Sequence, residues 1–139
     1  MDQPVTCCRR HLLQAGGLIL VAGPLLASCG AADSAPAATT APDGTLRIPT
    51  SAVAVGKTSY DSEHKLIVSH PADATFIVFD STCPHQGCAV STVKDGQLVC
   101  PCHGSIFDAA TGGLIAGPAP RGLTVKPSTV EGEEIVIGG

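Results

Sequence analysis

The chain has 139 residues, a formal charge of −4, no Trp, one Tyr and three Phe. That length accommodates one compact domain plus a tail, with a core built mainly from Ala, Val, Ile and Leu. Eight Lys and Arg stand against twelve Asp and Glu, so there is no basic patch or aromatic platform for nucleic acid.

The N-terminal segment reads as an address. Arg9-Arg10-His11-Leu12-Leu13-Gln14 resembles a twin-arginine export signal. An apolar run from Ala15 to Ala27 follows, interrupted by Gly16, Gly17, Gly23 and Pro24. Leu26-Ala27-Ser28-Cys29 then resembles a bacterial lipoprotein box, so residues 1–28 are expected to be a signal and Cys29 the lipidated residue. Acyl chains on Cys29 would hold the protein at the outer face of the cytoplasmic membrane, at about 0.8 kcal/mol per buried methylene. The competing reading is an uncleaved N-terminal helix. Leu12 to Ser28 is short of the about 20 apolar residues a span wants. Cys7 and Cys8 would leave with the signal. Residues 29–45 read as a flexible linker: after Cys29 they are Gly, Ala, Ser, Thr, Pro and Asp with almost nothing large.

Residues 46–139 read as an all-β domain. Ser51–Val55 ends at Gly56-Lys57, and Lys65–Ser69 stops before His70-Pro71. Thr75–Asp80 is a β-branched and aromatic run. Ala89–Val93 and Gln97–Cys100 flank Lys94-Asp95-Gly96, a hairpin signal. Ser105–Asp108 precedes a turn over residues 109–113. Leu123–Lys126 and Glu134–Ile137 are separated by a turn near Glu131-Gly132-Glu133. Short connections predict antiparallel pairing. His64 and His70 lie beside polar turn residues and are expected in solvent. Tyr60 is expected in packing or at the surface, and Asp108 as a turn cap.

Two blocks carry the chemistry: Cys83-Pro84-His85-Gln86-Gly87-Cys88 and Cys100-Pro101-Cys102-His103-Gly104-Ser105. A thiolate and an imidazole from each block can serve one metal centre. One cysteine per block is then spare, and the two spares can pair with each other. Structural zinc favours Cys-x2-Cys spacings, whereas the spacings here are Cys-x4-Cys and Cys-x-Cys with a His inside each block. A dithiol oxidoreductase wants Cys-x-x-Cys beside a βαβ unit, and neither is present.

The blocks resemble those of the Rieske iron–sulfur family, Cys-x-His-x-Gly-Cys and Cys-x-Cys-His-Gly-Ser. The resemblance implies an antiparallel β-sandwich of three stacked sheets, with an inserted cluster-binding lobe over roughly Thr82–Gly117. It implies one [2Fe-2S] cluster per chain, one iron held by Cys83 and Cys100 and the other by His85 and His103. It implies a disulfide between Cys88 and Cys102 that clamps the loops. Replacing two thiolates by neutral imidazoles raises the potential to about −150 to +300 mV, from about −400 mV in plant-type ferredoxins. Ser105 matches the serine whose hydroxyl donates to a bridging sulfide. Phe107 stands where quinol-oxidising members carry a tyrosine, which implies a potential below members that have both donors. Gly87 and Gly104 are expected in tight loops with positive φ. Gly117-Pro118-Ala119-Pro120-Arg121 resembles the family's proline loop, which puts Pro118 over the cluster.

The function that follows is extracytoplasmic one-electron transfer, from a quinol or an oxidoreductase to a cytochrome-like acceptor. The alternatives are the small subunit of an exported molybdenum-type oxidase and the ferredoxin of an oxygenase system. No substrate pocket is legible, so no reaction of its own is assigned. Redox protein partners and a membrane surface are expected, and nucleic acid is not.

Overall fold

A computed structural model describes residues 38–138. The segment expected to be a signal, residues 1–28, and the expected lipidation site Cys29 lie outside these residues. Twelve short strands form three four-stranded antiparallel sheets. The terminal sheet runs β1 (Thr39–Thr40), β2 (Leu46–Pro49), β12 (Glu134–Ile137), β11 (Ser128–Glu131). The central sheet runs β10 (Val125–Lys126), β5 (Thr75–Asp80), β4 (Leu66–Ala72), β3 (Lys57–Asp61). The lobe sheet runs β6 (Thr92–Lys94), β7 (Gln97–Val99), β8 (Ile106–Asp108), β9 (Leu114–Ala116).

The period of two along β4 and β5 decides the layering. Leu66, Val68 and Val78 pack with Ile48, Val53, Ile135 and Ile137 of the terminal-sheet side. Ile67 and Phe79 point the other way and pack with Leu98, Phe107, Cys83 and Cys100 of the lobe. Both faces of the central sheet are thus buried, and Cys83 and Cys100, the two free cysteines among the described residues, are part of the core. The Asp95-Gly96 hairpin has both residues at positive φ, as a two-residue primed turn requires.

Several boundaries differ from the sequence reading. The segment Ser51–Val55 is a 3-10 turn at Thr50–Ala52 followed by irregular chain, and the strand expected there forms later as β3. Its sequence, Lys-Thr-Ser-Tyr-Asp, is polar because β3 is an edge strand. β4 does not stop at Ser69 but continues through His70 and Pro71 to Ala72, with a register shift against β5 after Ser69. The irregularity is where the proline is tolerated. β1 lies in the stretch whose composition reads as linker, and pairs with β2 through Thr39 and Thr40. β9 and β11 are additional strands, too short for a periodicity signal.

The two histidines expected in solvent are held by the fold. His70 is 7% exposed, hydrogen-bonded through Nδ1 to the Val53 carbonyl at 2.7 Å and stacked on Phe76 at 3.9 Å. The strand extension through residue 70 is what buries it. His64 Nδ1 lies 2.9 Å from Asp61 Oδ2. Asp61 also accepts the N–H groups of Glu63 and His64, closing the β3–β4 turn. Burial alone would raise the Asp61 carboxyl, but these hydrogen bonds outweigh it and hold the pKa below the ordinary aspartate value.

Candidate metal centre

β5 delivers the chain into the first block and β7 into the second. At the end of β5, Asp80 accepts the Thr82 N–H at 2.8 Å, and a bridge between Thr82 and Ala89 closes the base of the loop. Burial pushes the Asp80 carboxyl up, but the Thr82 hydrogen bonds and the charges of Lys126 and Lys65 bring it below its ordinary value.

The two loops share one backbone geometry. Cys83 N–H donates to the Cys88 carbonyl at 2.7 Å, and Gly87 N–H donates back to the Cys83 carbonyl at 2.9 Å. Cys100 N–H donates to the Ser105 carbonyl at 2.8 Å, and Gly104 N–H donates back to the Cys100 carbonyl at 3.0 Å. Each loop is therefore a closed six-residue turn with cysteine at its base. Gly87 and Gly104 occupy equivalent corners at φ of 80° and 73°, where a β-carbon would be strained.

This geometry sorts the side chains by depth. Cys83 and Cys100 are free and buried, at 2% and 1% exposure. His85 is half-buried and His103 exposed. Their rings meet edge to face with centroids 4.6 Å apart, although the residues come from different loops. His85 Nδ1 is buried and has no hydrogen-bond partner. A buried ring nitrogen without a partner is costly unless a metal or proton donor completes it.

A disulfide joins Cys88 to Cys102 and ties the loops together. The sulfurs of Cys88, Cys100 and Cys102 lie within 4.8 Å of one another. Two of those three are in the disulfide, so only Cys100 remains as a thiolate donor in that group. The disulfide thus sits beside a buried thiol rather than at a distance from it.

The third side is closed by the chain after β9. Gly117 has φ 102°, and a β-carbon there would lie 2.5 Å from the Ser105 Cα and 3.1 Å from the Gly104 carbonyl oxygen. Pro118 is exposed on this loop and Ala119 is buried. Ala119 N–H donates to Ser105 Oγ at 3.1 Å. Ser105 is fully buried, as is Phe107, which pairs across the sheet with Leu98. Asp108 caps the following turn by accepting from Ala110 N–H and from both Thr111 donors, which lower its pKa.

The donor set is two free buried thiols, one imidazole with a buried unpaired nitrogen, and a second imidazole at the surface. This set fits an iron–sulfur pair with sulfur ligation at one end and nitrogen ligation at the other. The ligand spacing departs from structural zinc sites, which pair Cys with Cys and His with His along the chain, whereas each block here supplies one free Cys and one His. Sequence reading missed the Ala119–Ser105 hydrogen bond and the Gly117 contact. Both depend on a fold-back over a dozen residues, for which Gly117-Pro118 was the only local signal.

The family described as the Rieske [2Fe-2S] domain matches residues 47–127. The chain is 40% identical over 74 residues to the cytochrome b6-f complex iron-sulfur subunit of a Synechococcus species, covering 45% of this chain and 42% of that protein. It is 42% identical over 65 residues to a protein of Haloferax mediterranei named as a Rieske subunit of a respiratory nitrate reductase, covering 46% of this chain and 30% of the other. The chain thus spans less than half the length of these relatives. Among solved structures, the plasma-membrane Rieske protein of Synechocystis PCC 6803 matches with a TM-score of 0.50 and 33% identity, over 60% of this chain and 85% of that one. A chain of a hyperthermophilic respiratory Complex III matches with a TM-score of 0.53 and 26% identity, over 64% of this chain and 71% of that one. The match extends over more than half of the chain and contains both loops, so this chain belongs to the Rieske family and carries a [2Fe-2S] cluster as its cofactor.

Proposed function

We propose that this protein is an extracytoplasmic one-electron carrier, taking electrons from a quinol or an oxidoreductase and passing them to a cytochrome-like acceptor. Cys83 and Cys100 would hold one iron through thiolates, and His85 and His103 would hold the other through imidazole. When bound, the cluster supplies reversible one-electron chemistry. The chain's own residues do the rest. Cys83 and Cys100 anchor the buried end in the core. His103 brings the nitrogen end to the surface, where a partner can approach. The Cys88–Cys102 disulfide and the loop through Pro118 keep water off the site. Ser105, with its hydroxyl already accepting from Ala119, has its own proton free to donate to a sulfide. Phe107 supplies packing and no second donor.

The observation that carries this reading is the pair of matching loops. They bring two free buried thiols and two imidazoles, 4.6 Å apart by ring centroid, to one tip of the fold. Export through the twin-arginine route and attachment through a lipidated Cys29 complete the proposal. The test is metal analysis with EPR of the reduced full-length protein. Iron and acid-labile sulfide in equal amounts, no zinc, and a rhombic reduced-state signal are expected. A colourless, sulfide-free protein overturns the reading.

One second reading has an observation behind it. The similarity to a Rieske subunit named for a nitrate reductase favours a small electron-transfer subunit of an exported molybdenum-type enzyme. Co-purification of the full-length protein with a molybdenum-containing partner would decide for it. The ferredoxin reading is weakened by the disulfide, which oxygenase ferredoxins of this family mostly lack.

A further inference from the structure

We infer that the flank of the lobe formed by β9 is the docking face for the redox partner, and that this partner meets it with an uncharged, apolar surface. The inference rests on the electron-carrier reading and adds to it the chemistry of the partner. Leu114 is 37% and Ile115 51% exposed on an outer strand of the lobe sheet. β9 runs directly into Gly117, which packs against the second ligand loop. The register between β8 and β9 shifts: Phe107 pairs with Leu114 and Ile106 with Ala116, leaving Ile115 as the extra residue. Such a bulge re-aims a side chain and interrupts an edge.

Charge is arranged to match. Between Thr82 and Pro120 the only Asp, Glu, Lys or Arg residues are Lys94, Asp95 and Asp108. Lys94 and Asp95 lie at the β6–β7 turn, at the end of β7 away from Cys100. Asp108 lies at the end of β8 away from Gly104, with its carboxylate engaged by Ala110 and Thr111. No charged side chain therefore lies in β9 or in the ligand loops, and the proline loop carries one, the exposed Arg121 at its far end, whose guanidinium donates to Thr124 Oγ1 at 3.1 Å. A partner that set a charged face against Leu114 and Ile115 would have to desolvate its charges there without a counterpart on β9.

The same features argue against a second copy of this chain. A three-residue strand carrying a bulge offers little edge to pair, and two apolar side chains fall far below the area of a stable dimer. A small apolar contact that forms and releases suits transient electron exchange.

The experiment is stopped-flow oxidation of the reduced full-length holoprotein by azurin, whose rim is apolar and uncharged, and by a basic cytochrome c. With azurin, the second-order rate should change by less than about twofold between low and high salt. Ile115→Lys and Leu114→Asn should each lower that rate about tenfold or more, with EPR signal and midpoint unchanged. Val130→Lys, an exposed position on β11, should leave it unchanged. An unaltered rate in Ile115→Lys with an intact EPR signal overturns this inference alone. So does a steep salt dependence, or faster exchange with the basic cytochrome. A dimer that Ile115→Lys dissociates would assign the face to a second copy. Hydrogen-exchange protection of residues 114–116 in the free full-length protein would assign it to the chain's own N-terminal segment. A missing EPR signal in the unmodified protein would sink the carrier reading itself.

Discussion

Ser105 Oγ accepts the backbone N–H of Ala119 at 3.1 Å, across fourteen residues of sequence, at a position with no solvent exposure. One hydrogen bond thus fixes the proline loop on the second ligand loop and orients the hydroxyl. With one lone pair engaged by Ala119, the serine's proton is left free to donate, as the proposed role toward the cluster requires.

Ser105→Ala should therefore act twice. Loss of a donor to a charged acceptor, worth about 1.5–3 kcal/mol, corresponds to about 65–130 mV for one electron. The midpoint should fall by that order in a redox titration monitored by EPR. The Ala119 N–H also loses its acceptor, so thermal stability should drop by about 1–3 kcal/mol. An unchanged midpoint with reduced stability would leave Ser105 a structural role alone.

Phe107→Tyr tests the other tuning position. The added hydroxyl places a donor where the quinol-oxidising members of the family have one, and the midpoint should rise by some tens of millivolts. The site is fully buried, so folding has to be checked by circular dichroism first. A midpoint that stays or falls in a folded, cluster-bearing variant contradicts the assignment.

Gly117→Ala should loosen the site from outside the two blocks. Its β-carbon would meet the Ser105 backbone at 2.5 Å, and φ of 102° is unfavourable for any L side chain. The loop has to shift, at about 1–3 kcal/mol. Faster bleaching of the cluster's visible absorbance in denaturant is the expected readout. Ala substitution at Gly138, which has nothing within 4 Å, is the control.

The paired change Cys88→Ser with Cys102→Ser should lower stability by about 2–4 kcal/mol, since a separation of fourteen residues closes a short loop. Urea denaturation of the oxidised protein measures it. The larger consequence is exposure of the buried Cys100 sulfur, which should speed cluster loss in air.

Stability should fall in acid, with Asp61 a principal contributor. Its folded pKa lies below the ordinary value of 3.8. The stabilisation is thus present above that unfolded value and is lost as pH falls through the lower folded one. Asp61→Asn should flatten this part of the stability–pH curve between about pH 5 and 2, and destabilise at neutral pH by about 1–3 kcal/mol. An unaltered acid slope would assign the effect to Asp80 and Asp108, whose carboxyls are also held low.

What the sequence determined by itself is local chemistry. The two blocks name the candidate donor residues, the Asp95-Gly96 pair sets a hairpin, and the runs Thr75–Asp80 and Glu134–Ile137 form strands with those bounds. These signals are legible because each depends on neighbours a few residues away: ligand spacing, turn dihedrals and β-branched side chains. The tertiary structure alone decided the edge strands β3 and β9, the burial of His70, and the closure of Gly117 and Ala119 over Ser105. Each depends on which distant segment lies opposite. β3 is polar because it stands at an edge, and His70 is buried because Val53 and Phe76 reach it. Spacing told which atoms were available as ligands; packing told how deeply each one sits.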